Sequence, residues 1–397
     1  MKKIILSAFL ILASLGARAD ALDDAAVRIA SANPAVQAAK ARYDAELEAA
    51  KAANVLAGPD ADFDYKFNSR SGEPDKWGFS LGQSFDWPGV YGKRRQANRY
   101  RAQAYADLYR AELTDCAVRA KQALAAVTFA RERLRILDEA LENIENLAES
   151  YDNAYAHGEV TVLDVSKLKL RRFSLANDMA SAEAALEEAE AVLRGMGGDP
   201  SMVPDVAAVL ANVKLPPLSH YRQLLEQNDP TVAANASLLS AEKAEASAAG
   251  RSLLPSFRLA YTHDYEEGTH FNGFSVGIGI PSWSGRNAVR AAKANALAAE
   301  LSASDYAMKA RAQLTADYAR AVRLDRRVDD ARAAFSSGEY PALLRKALDM
   351  RRITIFEYCS EMDSYLEAST AYLDLCSELT RTVAALSRWE IKEQGRN

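Results

Sequence analysis

Residues 93–157 contain neither Pro nor Gly, so the chain ahead of Gly158 reads as one continuous helix, expected over 91–156. At 1.5 Å per residue, about 65 residues give a rod of roughly 97 Å, about three times the width of a small domain. Such a rod needs coiled-coil-like packing against other long helices rather than an ordinary globular core. Its abundant Ala favours the helix and lets neighbouring backbones come close. A second run starts at Asn287 and continues to Gly338 and Pro341, where an irregular turn is expected before helix resumes to Arg351.

The two rods belong to a larger repetition. Asn33-Pro34-Ala35-Val36 matches Asp229-Pro230-Thr231-Val232, at an offset of 196 residues. Gly78-Phe79-Ser80-Leu81-Gly82 matches Gly273-Phe274-Ser275-Val276-Gly277, at 195. Thr161-Val162-Leu163-Asp164-Val165 matches Thr354-Ile355-Phe356-Glu357-Tyr358, at 193. Three collinear matches indicate an internal duplication, with halves 20–215 and 216–390 and a tail 391–397. Each half reads as helix (34–55; 230–253), two strands (61–68 and 77–86; 256–264 and 271–280), long helix (91–156; 287–351) and return helix (161–195; 354–389).

The strands alternate at period two. Trp77, Phe79, Leu81, Gln83 and Phe85 fall on one face, with Gly78, Ser80, Gly82 and Ser84 on the other; the second half repeats the pattern with Phe274, Val276, Ile278 and Ile280. Strands of about nine to eleven residues suit a tilted membrane crossing. Four strands cannot close by themselves, and open edges are costly in lipid, so closure through several copies is expected. Two, three or four copies would each close. Trp77, Trp87 and Trp283 at strand ends are candidate membrane-interface aromatics.

Each long helix reverses at a Thr followed three residues later by an acid. Thr161 with Asp164, and Thr354 with Glu357, fit helix N-caps with an acidic third residue. The same carboxylates, gathered into rings by symmetry, would line an opening and set ion selectivity.

The first residues have the form of a signal peptide. Lys2 and Lys3 precede an apolar stretch from Ile4 to Leu15, and Ala17-Arg18-Ala19 supplies a cleavage motif, so export with processing after Ala19 is expected. No later run has 18 consecutive apolar residues, so no helical span is expected. A net charge of -5 argues against nucleic acid as a partner. Cys116, Cys359 and Cys376 have no metal or disulfide spacing. His157, His220, His263 and His270 form no ligand pair at helical spacing with Cys or carboxylates, and His263 and His270 flank an expected surface loop. The Gly runs fit neither a phosphate loop nor a dinucleotide fingerprint. No enzyme, cofactor or metal centre is expected.

The ordered set resembles the TolC-like outer-membrane efflux family, in the branch that serves heavy-metal and drug efflux pumps of the resistance-nodulation-division type. It comprises the Asn-Pro start, the two Gly-Phe-Ser strands, the strand-to-helix punctuation and the two Thr-capped reversals, and covers Asp20 to Trp389. The resemblance implies a mostly helical fold with a membrane β-barrel: a homotrimer whose twelve strands, four per chain, close one barrel above a long periplasmic α-helical barrel. It implies a passive exit duct in the outer membrane, working with a periplasmic adaptor (membrane fusion protein) and an inner-membrane pump. Glu357 matches an aperture position of the family, and Ser360 falls where a second carboxylate can occur. The family's gate-fastening Tyr and Arg fall at Leu348 and Ile353, so Asp349, Arg351 or Arg352 would take that part. Arg351-Arg352 also stand where a Gly-Glu pair is frequent. Two alternatives remain, the outer-membrane duct of a type I protein or peptide secretion system and a periplasmic coiled-coil adaptor or structural protein.

Overall fold

The structure, a computed structural model, describes residues 19–391 apart from 54, 55, 57, 68–74, 212, 214, 281–283 and 336–339. The signal-peptide segment before Ala19, Trp283 and the turn at Gly338 lie outside the described residues. The chain forms two compact units. One takes the segment up to Gln37, Glu112–Gln227 and the chain from Arg311 onward; the other takes Ala38–Ala111 and Asn228–Ala310. The units are therefore not the two sequence halves, because each draws on both.

The second unit holds one antiparallel sheet, β1 (Asp60–Lys66), β2 (Lys76–Phe85), β3 (Ser256–Glu266) and β4 (Thr269–Gly279), in the order β1-β2-β3-β4. Its register sorts the side chains by face, since directly paired residues point the same way. Leu81 pairs with Ala61 and Tyr261, and Tyr261 with Phe274. Phe79 pairs with Phe63 and His263, and Leu259 with Val276. This apolar face is open: Phe63, Phe274, Val276 and Ile278 are 69%, 81%, 73% and 63% exposed.

The opposite face is polar. Arg258 of β3 is ion-paired with Asp60 and Asp62 of β1, reaching across β2 at Gly82. A Cβ on Gly82 would stand 2.9 Å from the Arg258 guanidinium, so a larger residue there would push the guanidinium off this path. β3 and β4 are joined by Glu267 (φ +51) and Gly268 (φ +80), the two positive φ values of a tight hairpin turn. His263 and His270 thus lie within strands, not beside a loop as expected. Among the described residues, the outward edges of β1 and β4 have no partner strand.

α1 (Ala19–Ala32) belongs to the first unit and precedes α2 (Pro34–Ala52), which leads to β1 and is one of several helices shared between the two units. Pro88 opens α3 (Pro88–Ala156), where its missing N–H is harmless. After α4 (Val162–Gly195) come the short helices α5 (Val206–Ala211) and α6 (Leu218–Asn228), then α7 (Pro230–Arg251), capped by Asp229. α8 (Ser284–Ala334) is followed by α9 (Tyr340–Asp349) and α10 (Ile355–Leu386).

The helical unit is held by three apolar clusters arranged in sequence along α3. Ala120, Leu124 and Val127 pack with Leu22, Ala26 and Leu193; Ala125 and Phe129 pack with Val209, Leu324, Cys376 and Leu379; Leu137, Ile144 and Leu147 pack with Leu168, Leu175, Leu348, Ile355 and Tyr358. Fully buried Ala117, Ala120 and Ala125 leave room for close helix approach. α1, α5 and α6 were not foreseen; they are short and are held by contacts distant in sequence, as at Val209, Tyr221 and Leu225.

Candidate functional site at the helix reversals

The chain doubles back after α3 and after α9 by the same backbone device. At the first reversal, the Glu159 N–H donates to Ala154 O at 2.9 Å and the Gly158 N–H to Tyr155 O at 2.9 Å. At the second, the Arg352 N–H donates to Ala347 O at 2.9 Å and the Arg351 N–H to Leu348 O at 2.8 Å. These nested bonds form Schellman ends, which require a left-handed residue after the helix. Gly158 (φ +73) fills that step in the first reversal, and Arg351 (φ +55) in the second.

Three residues later each new helix is capped. Thr161 N–H donates to Asp164 Oδ2 at 2.9 Å while Asp164 N–H donates to Thr161 Oγ1 at 3.3 Å. Thr354 N–H donates to Glu357 Oε2 at 2.7 Å, and Glu357 N–H to Thr354 Oγ1 at 3.2 Å. Both are reciprocal capping boxes. The backbone N–H of Thr354, then its hydroxyl, hold the Glu357 carboxyl below its ordinary value, so it is charged through the neutral range.

The two reversals come together. Lys167 Nζ on α4 stands 6.0 Å from the centre of the Phe356 ring on α10. The half-buried Tyr151 hydroxyl, raised chiefly by burial, feels Asp164 of one reversal and Arg345 and Asp349 of the other. Glu357, Ser360, Arg351, Arg352 and Asp349 are exposed, and Asp164 is half-buried. Asp349 accepts from Arg345 Nε at 3.1 Å, an ion pair within α9.

Beneath this surface lies a polar network that no sequence spacing announces. Tyr358, fully buried, accepts from Asn143 Nδ2 at 2.6 Å, and Arg345 Nη1 donates to Asn143 Oδ1 at 3.4 Å. Asn143 and Tyr358 are 215 residues apart, so the network ties the first turn of α10 to α3 and α9. Burial raises the Tyr358 hydroxyl and the neighbouring Cys359 thiol, which marks both as packing groups rather than reactive ones.

Of the candidate interface aromatics, Trp77 lies near the hairpin end of β2, its ring 5.9 Å from Tyr265 and 6.4 Å from Phe63. Trp87 lies past the opposite end of β2, its ring 6.0 Å from Phe257. Among the described residues, no helix is long and apolar enough to cross a membrane.

A four-stranded sheet with an open apolar face, joined to long antiparallel helices that end in paired capped reversals, is the fold of a TolC-like outer membrane channel. Residues 26–199 match the family described as outer membrane efflux protein. A membrane protein from Pseudomonas aeruginosa is 18% identical, with a TM-score of 0.77 over 95% of this chain and 92% of that one. The Campylobacter jejuni CmeC outer membrane channel is 15% identical, with a TM-score of 0.74 over 96% and 87%. The Vibrio cholerae outer membrane protein VceC is 16% identical, with a TM-score of 0.72 over 94% and 96%. No curated protein matches the sequence. The family and the structural relatives are channels rather than enzymes.

Proposed function

We propose that the chain is one third of a homotrimeric, passive exit duct, embedded in the outer membrane by its sheet and completing a tripartite efflux system with a periplasmic adaptor and an inner-membrane pump. The sheet carries this reading. Its apolar side chains lie on one face, its polar groups on the other, and neither edge has a partner strand among the described residues, which suits a barrel wall closed by further copies with the apolar face outward. In this reading the signal peptide is removed near Ala19, and small molecules or metal ions pass through without being transformed. Drug or heavy-metal efflux by a resistance-nodulation-division pump is favoured over type I secretion by the resemblance at the reversals.

Glu357 and Asp164 are assigned to the aperture. Capping consumes only part of each carboxylate, so the same groups can hold a helix start and present negative charge to the passage. The test is conductance of the purified protein in a planar bilayer. Discrete cation-preferring openings are expected, and Glu357→Lys should shift the preference toward anions. Release of the wild-type protein from envelopes without detergent would refute the barrel; unchanged selectivity in Glu357→Lys would refute only the aperture assignment.

A further inference from the structure

The hairpin of β3 and β4 carries two imidazoles that neither the fold nor the duct employs. His263 pairs with Asn272 and Tyr265 with His270, so the two histidines are diagonal neighbours on one face of the ladder. His270 Nδ1 lies 3.3 Å from His263 Nε2. On its other side, His263 Nδ1 lies 2.7 Å from Asn272 Oδ1, which also accepts the Tyr261 hydroxyl at 2.7 Å. An amide oxygen can only accept, so His263 carries its proton on Nδ1 and offers the Nε2 lone pair toward His270.

Two nitrogens bound at 2.0–2.1 Å stand about 3.3–3.4 Å apart in a tetrahedral site and about 2.9 Å apart as neighbours in a square-planar one, so the 3.3 Å found here suits Zn2+ as it stands and Cu2+ once the two rings close by about 0.4 Å. We propose that His263 and His270 form a binding site for a divalent transition-metal ion, Cu2+ before Zn2+, at the Glu267-Gly268 end of the hairpin, on the same face as Phe79 and Val276 but beyond the stretch assigned to lipid. The far nitrogen of His263 is held by Asn272, the kind of outer partner that fixes tautomer and ring direction in metal-binding histidines. The Trp77 and Phe79 rings, each 5.4 Å from the His263 ring, restrict that side chain further, while His270 is exposed and open to an arriving ion. No group of three or more His, Cys, Asp and Glu side chains gathers for a metal among the described residues, so the pair supplies two ligands and water the remainder. Imidazole suits both ions, and the ordinary affinity order places Cu2+ first.

The experiment titrates the purified full-length protein in detergent with Cu2+ alone and reads the bound ion by electron paramagnetic resonance. One Cu2+ per chain with two coordinated imidazole nitrogens is expected. His270→Ala should lose that signature and weaken binding at least about tenfold, while Asn272→Ala should weaken it about 10- to 100-fold with two nitrogens retained. His220→Gln, which alters a histidine paired with Glu390 and not with either hairpin imidazole, should bind as the parent does. A one-nitrogen spectrum in the parent, or unchanged binding in His270→Ala, would overturn the site. Channel conductance is a separate readout, so failure here leaves the duct standing.

Discussion

Arg351 occupies, at φ +55, the left-handed step that Gly158 occupies at φ +73 in the companion reversal. The hydrogen bonds around the two are the same, residue for residue, and each is followed three positions later by a capping Thr. A side chain with a Cβ stands here in a conformation that costs a non-glycine residue about 1–2 kcal/mol. Arg351→Gly should therefore stabilise the protein by about 0.5–1 kcal/mol, after the extra freedom glycine gives the unfolded chain is offset. Gly158→Ala should do the reverse by about 1 kcal/mol, and because no atom lies within 4 Å of an added Cβ, its cost is purely backbone. Chemical denaturation in detergent reads both; equal stability across the three proteins would contradict the account.

Acid should loosen the second reversal through Glu357. Its carboxyl lies below the ordinary value of 4.5, so the unfolded chain binds the proton more readily than the folded one. The stability from this group is present above the unfolded value and disappears as pH falls through the folded value. Hydrogen exchange in the first turn of α10 should rise on moving from pH 7 to about pH 3 in the parent, after correction for intrinsic exchange. Glu357→Gln should lack that pH-dependent rise, whereas Thr354→Ala should cost about 1 kcal/mol at neutral pH as a lost cap. An identical acid response in parent and Glu357→Gln would assign the loosening to other groups.

The Asn143–Tyr358 bond should respond asymmetrically to removal of its two ends. Asn143→Leu strands a fully buried hydroxyl and should cost about 1–3 kcal/mol. Tyr358→Phe leaves only a half-buried amide, which water can reach, and should cost about 0.5–1.5 kcal/mol. Thermal unfolding of the two variants checks the order, and a reversed order would show that the hydroxyl has another partner.

Adjacent positions on β4 should behave oppositely. Val276 belongs to the open apolar face and Ser275 to the polar one, where it pairs with Ala260. Val276→Arg should cost about 2–4 kcal/mol per chain near mid-membrane and lower the yield of folded protein in lipid. Ser275→Arg should insert normally and change conductance instead. Equal insertion of both variants would contradict the lipid-facing assignment.

Much of the fold could be read from the sequence because its signals are local. Period-two alternation over Trp77–Phe85 and the freedom from Pro and Gly over residues 93–157 need no knowledge of distant contacts. A Thr with an acid three residues on is likewise a local pattern, and the structure forms a capping box at both such places. Register across strands is not local. His263 and His270 looked like two ends of a loop because a two-residue turn at Glu267-Gly268 left no Pro or Asn to announce it. Asn143 was invisible for the same reason, as its partner Tyr358 is 215 residues away. Arg351 did stand out by position, yet its strain became evident only from the backbone angle.

The edges of β1 and β4, which have no partner strand among the described residues, also bear on the life of the chain before it works. In a three-copy barrel, no single copy can satisfy those edges, so the productive event is an encounter between chains rather than the folding of one. Output of finished ducts then climbs more steeply than the supply of newly exported chains when supply is scarce, and levels off when it is plentiful. A cell could move from almost no ducts to many with a modest rise in synthesis, a threshold built from two bare strand edges.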